Sequence, residues 1–180
     1  SVTFRNYFNS EQDVEDIFTT ILGCEKAVIA PTMMGFFDWS ALHCSNAGTF
    51  GEAYRKLEPA AIWDMDKRTS WNTHYKAIYL TNFLHENQFR FKNISQERID
   101  FWLAQADFVK ALMYFRLAQD WGEAVVAPST EDASQQAKSP INTILTEAIQ
   151  AAEAALILPT FDKLTNAQGN NINSRQYASL

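Results

Sequence analysis

The stretch Ala104–Gly122, AQADFVKALMYFRLAQDWG, constrains the fold more than any other part of this chain. Ala104, Phe108, Ala111, Phe115 and Ala118 follow one another by steps of four, three, four and three, which puts them on one face of an α-helix and does not suit the two-residue alternation of a strand. Alanines let a neighbouring backbone come close, and phenylalanines fill the grooves beside it. The whole face, Phe108 and Phe115 included, is therefore expected to be buried in an all-helical array. Gly122 supplies a positive-φ cap and ends the helix after Trp121.

Further helices are signalled on either side. Ser10 caps a first one, with acidic Glu11, Asp13, Glu15 and Asp16 in its opening turns and an apolar stripe of Val14, Ile17, Phe18, Ile21 and Leu22; it runs to about Ala30. Pro31 interrupts it, and Met33–Cys44 is expected to resume as a second helical piece. Asn46–Ser70, with Gly48, Gly51 and Pro59, reads as a long loop. A helix from Trp71 to about Glu86 follows, capped by Thr69 or Ser70, with Trp71, Tyr75, Ile78 and Asn82 along one side. Asn93-Ile94-Ser95 matches a glycosylation acceptor, but Ser95 serves better as the cap of the long helix ending at Trp121, which makes these two helices an antiparallel pair. Glu123–Ser139 is a second loop. Pro140 opens a last helix in its first turn, striped by Ile141, Ile144, Leu145, Ala148, Ile149, Ala152 and Leu156 and ended by Pro159.

Composition removes several classes of function. A formal charge of -6 with no run of Lys or Arg argues against a nucleic-acid partner. No apolar run is long enough to span a membrane, and the opening Ser1-Val2-Thr3-Phe4-Arg5 lacks the order of a secretory signal, so the chain is expected to be soluble with any export signal already gone. Cys24 and Cys44 would face each other if the chain reverses near Pro31–Gly35, yet one isolated pair makes no disulfide framework and reads as two buried thiols. His43 beside Cys44 has no second ligand pair at metal-binding spacing, so no metal site is expected. Asp64 and Asp66, two apart on a loop, fix no carboxylate separation for glycoside hydrolysis, and no catalytic residues are assigned.

Three motifs then stand in order: Asn6-Tyr7-Phe8-Asn9-Ser10-Glu11-Gln12-Asp13, then Trp71, Tyr75, Ile78 and Asn82 opening a helix, and finally Ala104-Gln105-Ala106-Asp107-Phe108 through Ala111, Tyr114-Phe115, Leu117 and Asp120-Trp121-Gly122-Glu123, with Leu158-Pro159 as sequel. So ordered, the chain resembles the N-terminal part of the SusD-like (SusD/RagB) family, surface glycan-binding lipoproteins that sit on TonB-dependent transporters in Bacteroidetes outer membranes. It departs from the family pattern where a proline usually follows Trp-Gly and Val125 or a neighbour stands instead. The resemblance implies one all-α domain over residues 1–180, the N-terminal fragment of a longer protein. Its fold would be tetratricopeptide-like antiparallel helix pairs with long irregular loops. It further implies non-catalytic oligosaccharide binding at the cell surface, a SusC-like TonB-dependent outer-membrane transporter as partner, no cofactor, and membrane contact only through a lipid anchor absent from this chain.

Sugar recognition needs flat apolar rings for the C–H face of a pyranose and polar groups for its hydroxyls, on loops held by a rigid scaffold. Asn46–Ser70 has that inventory: Trp63 and Tyr54 as stacking rings, Asp64, Asp66 and Arg68 as hydroxyl partners. Trp71 and Trp121, at helix ends, are read instead as packing rings that close over the adjoining helix. With Tyr75, Asn82, Phe108, Ala111, Phe115 and Gly122 they form the structural motif. The alternative reading is a helical-repeat adaptor that captures a protein or peptide, with no carbohydrate role.

Overall fold

Residues 8–31, 71–172 and 177–180 are described by a computed structural model, and four helices carry them: α1 (Glu11–Pro31), α2 (Trp71–Asn87), α3 (Gln96–Trp121) and α4 (Ile141–Ala154). Short 3₁₀ turns follow at Gln88–Arg90, Ala155–Ile157 and Phe161–Lys163. Among the described residues, β-type pairing is limited to two isolated bridges, Ala124 with Ser139 and Thr165 with Asn171. The expected helical piece at Met33–Cys44, the loop at Asn46–Ser70, the caps Thr69 and Ser70, and Cys44 lie outside the described residues.

The helix ends follow their capping chemistry. Asp13 reaches back from the first turn of α1 and accepts hydrogen bonds from the backbone N–H groups of Asn9 (2.8 Å) and Ser10 (3.0 Å), while its own N–H donates to the Ser10 carbonyl. The Ser95 hydroxyl accepts from the Arg98 N–H at 3.3 Å and starts α3. Gly122 stops α3 at φ 75°, a conformation that costs a side-chain-bearing residue about 1 kcal/mol or more, and its N–H donates to the Ala118 carbonyl. Pro140 occupies the N-cap of α4 rather than its first turn.

α1 packs on α2 and α3, and α4 packs on α3. α2 and α3 run antiparallel, as their cross-contacts show: Trp71 meets Trp121 at one end, the Thr81 hydroxyl is directed at the Ala106 carbonyl midway, and His85 meets Asp107 near the other end. The core lies where the three helices meet, around fully buried Phe18, Ile78, Trp102, Met113 and Tyr114. Trp102 keeps its indole N–H satisfied by donating to the Glu11 carboxylate at 2.8 Å. Arg98 stacks over Phe101, donates to Glu11 at 2.6 Å, and reaches the Thr165 hydroxyl and the Thr165 and Asn166 carbonyls. One guanidinium thus ties the 165–171 turn to α1 and α3.

The exposed side of the α3–α4 pair corrects the sequence reading. Ala104, Ala111 and Ala118 are buried as expected, but Phe108 and Phe115 are 40% and 42% exposed. On α4, Ile144, Ala148 and Ala151 are buried, whereas Ile141 and Ile149 of the expected stripe, and Leu156 in the turn that follows the helix, face solvent. Two helices that touch through small residues approach closely along a narrow line, and the long apolar side chains are left flanking it. Cys24 is a buried free thiol, and burial raises its pKa.

Candidate functional site

One face of α2 organises the site. Trp71, Tyr75, Asn82 and Glu86 recur at helical spacing on the side facing the loop between α3 and α4, and three of them grip that loop by its main chain. The Tyr75 hydroxyl accepts from the Val125 N–H and donates to the Val125 carbonyl, both at 2.8 Å. The Asn82 amide donates to the carbonyls of Ala127 (2.8 Å) and Ser129 (3.2 Å). Glu86 accepts from the Thr130 N–H (2.8 Å) and hydroxyl (2.5 Å). From α3, the Tyr114 hydroxyl accepts from the Ala127 N–H at 3.0 Å. The loop closes on itself where Ala124 and Ser139 exchange two backbone hydrogen bonds.

Burial explains why these clamps hold. Tyr75 and Tyr114 are held back from water, which pushes the Tyr75 phenol up to about 12 and the Tyr114 phenol higher still, so both stay protonated donors across the physiological range. Asn82 is buried, and its carbonyl oxygen accepts from the Lys110 ammonium at 2.8 Å, which fixes the amide so that its NH2 faces the loop. Burial lowers the Lys110 pKa, opposed by the negative charges of Asp107 and Glu147.

Between this α2 face and the loop lies a cavity of about 850 Å³. Its aromatic wall is Trp71, Tyr75, Tyr79 and Trp121; its polar rim comes from Asn72 and from Thr130, Glu131, Asp132, Ser134, Gln136 and Lys138 of the loop. The Trp71 and Trp121 rings meet edge to face at 5.2 Å and 87°, and Tyr75 lies tilted against Trp71 at 5.2 Å. Tyr79, 47% exposed, is backed by Phe83 in a stacked pair. Lys138 holds its ammonium 5.3 Å from the centre of the Trp71 ring. A wall of rings beside a rim of carboxylates, amides, hydroxyls and one ammonium can stack the C–H face of a sugar and bond its hydroxyls.

Of the residues singled out from sequence, Trp71, Tyr75 and Trp121 line the cavity, Asn82 clamps the loop that borders it, and Gly122 turns the chain into that loop. The partly buried Trp71 and Trp121 rings meet edge to face, and they also line the cavity, a role the sequence reading assigned elsewhere. Ala111, Phe108 and Phe115 are not part of it. Trp63, Tyr54, Asp64, Asp66 and Arg68 lie outside the described residues. The reading missed Tyr79 and the rim of the 129–138 loop. Their signal was an α2 face carrying more hydrogen-bonding side chains than a packing face needs. Among the described residues, no group of three or more His, Cys, Asp or Glu side chains could hold a metal ion, and no helix is long and apolar enough to cross a membrane.

Comparison with known proteins places this geometry in a family context. Residues 8–165 match the model of a SusD-like family described as starch-binding and associating with the outer membrane. The fold is similar to the crystal structure of a SusD-like protein from Bacteroides fragilis, with a TM-score of 0.53 and 14% identity over 94% of this chain. That match covers 31% of the Bacteroides protein, so the chain spans about a third of its length. No curated protein matches the chain.

Proposed function

The chain belongs to the SusD-like family, and on that premise we propose that it is part of a non-catalytic protein that captures oligosaccharide at the bacterial cell surface and passes it to a SusC-like TonB-dependent outer-membrane transporter. The observation that carries this reading is the cavity beside α2, where four aromatic side chains face a polar rim. Trp63 and Tyr54 as further stacking rings, and Asp64, Asp66 and Arg68 as hydroxyl partners, belong to the same proposal. The chain is read as the N-terminal fragment of the full-length protein, which a lipid anchor holds at the outer membrane. Each stacking or hydroxyl contact is modest, so a single site binds weakly.

Isothermal titration of the protein with a panel of oligosaccharides tests this. Tyr79→Ala removes an exposed ring and should weaken binding about three- to tenfold without loss of fold. Trp63→Ala with Tyr54→Ala should abolish it. No heat with any oligosaccharide would refute the glycan reading. A second reading, capture of a protein or peptide by a helical-repeat adaptor, is favoured by the exposed Phe108, Phe115, Ile149 and Leu156 on α3 and α4 and the turn after it. Under that reading Phe108→Ser abolishes partner binding and the aromatic variants leave it unchanged.

A further inference from the structure

Lys138 sits where a sugar would stack. Its ammonium lies over the Trp71 ring, which among the described residues also meets the edge-on Trp121 and the tilted Tyr75, so the ammonium and the cavity share one end of α2. The path of the loop defines the opposite end. Ala124 and Ser139 are bridged beside the Tyr75–Val125 clamp, whereas Thr130 is held by Glu86, and Glu131 and Asp132 follow directly. Trp71 and Glu86 stand fifteen residues apart on one helix, about 22 Å along its axis. The cavity rim therefore carries one ammonium, held over Trp71, and the carboxylates of Glu131 and Asp132 on the stretch that follows Thr130. Over the Trp71 ring itself the charge is that of the Lys138 ammonium.

Resting on the glycan reading above, we infer that Lys138 is a specificity-determining residue, selecting an oligosaccharide that carries a carboxylate or sulfate on the unit seated at Trp71 over a neutral one. A neutral pyranose that stacks on Trp71 must displace the ammonium from the ring and returns only hydroxyl contacts. An acidic sugar accepts a charge-assisted hydrogen bond from the ammonium and leaves the rest of the aromatic wall free for neutral units. Starch, the glycan in the family description, is neutral and serves as the contrasting ligand.

Affinity electrophoresis of the protein through gels containing polygalacturonate, alginate, chondroitin sulfate, starch or galactomannan tests this, with circular dichroism to confirm the fold of each variant. At least one acidic polysaccharide should retard the protein more than either neutral one. That retardation should fall on the order of fivefold in Lys138→Met, return in Lys138→Arg, and weaken as salt is raised. The formal charge of -6 removes general attraction to polyanions as its cause. Glu131→Gln with Asp132→Asn should not lower it, because taking negative charge off the rim cannot weaken capture of an anionic sugar. Retardation by starch or galactomannan alone, or acidic retardation unchanged in Lys138→Met, overturns the role of Lys138 and leaves the glycan reading standing. Retardation by no polysaccharide overturns the glycan reading, and this inference with it.

Discussion

Asn82→Ala cuts the clamp between α2 and the 123–139 loop at its centre. The substitution removes two hydrogen bonds to loop carbonyls, at 2.8 and 3.2 Å, and takes away the amide oxygen that accepts from Lys110 at 2.8 Å. A neutral hydrogen bond contributes about 1 kcal/mol net and one to a charged group about 1.5–3 kcal/mol, with a further penalty where a buried partner is left unmade. The Ala127 carbonyl keeps only a long contact of 3.4 Å from the Tyr114 hydroxyl, and Lys110 is already disfavoured as a cation by burial. A loss of about 3.5–5 kcal/mol follows, which lowers the melting temperature of a chain this size by about 7–20 °C. Thermal unfolding followed by circular dichroism reads the first effect. Amide hydrogen exchange at Val125, Ala127 and Thr130 reads the second, since these N–H groups are held by Tyr75, Tyr114 and Glu86, and exchange there should quicken if the clamps act together. A melting temperature within about 2 °C of the parent, with unchanged exchange at all three amides, would refute the reasoning.

Two other perturbations test separate parts of the structure. Burial pushes the Glu25 carboxyl up from 4.5 to about 7, against the opposing charge of Lys26, and its Oε2 is buried without a hydrogen-bond partner. The folded state therefore holds this proton more tightly than the unfolded chain, so stability falls as pH rises from about 4.5 to about 7 and stays low above that. After discounting for the solvent contact of a half-buried group, Glu25→Gln should stabilise the protein by about 1–2 kcal/mol near pH 8 and by nothing near pH 4, as urea unfolding at the two pH values would show. Arg98→Met strips the 165–171 turn of three hydrogen bonds and Glu11 of its ion pair. Exchange of the Asn166 and Ile172 amides should speed up well before α3 loses protection, and a turn that stays protected would show that its other contacts suffice.

Helix positions were legible from sequence because capping residues and apolar periodicity act locally. Ser95, Gly122 and the acidic first turn of α1 do in space what their neighbours along the chain suggest. The burial of each face was less legible. A stripe of Ala104, Phe108, Ala111, Phe115 and Ala118 states that one side of α3 is apolar, but which members are covered depends on how closely α4 approaches, and that depends on small residues about forty positions away. The family resemblance was legible in the same motifs. The cavity was hidden for a different reason: its wall is made by pairings between residues some 45 to 50 positions apart, such as Asn82 with Ala127 and Tyr75 with Val125, and no local pattern announces them. Hence Trp71 and Trp121 could be recognised as rings at helix ends without being seen as two sides of an opening.

The clamps described above seize the 123–139 loop by peptide groups: the N–H and carbonyl of Val125 and Ala127, the carbonyl of Ser129, the N–H of Thr130. Every residue except proline brings the same N–H, so beyond the buried Ala124 and Ala127 and the Thr130 hydroxyl that Glu86 also holds, these clamps do not depend on which side chains the loop carries. Folding and the chemistry of the cavity lining are thereby largely uncoupled along this segment. Mutational drift can rewrite the rim at positions 131, 132, 134, 136 and 138 at little cost to the helices beneath, so one helical frame can carry cavities of different lining.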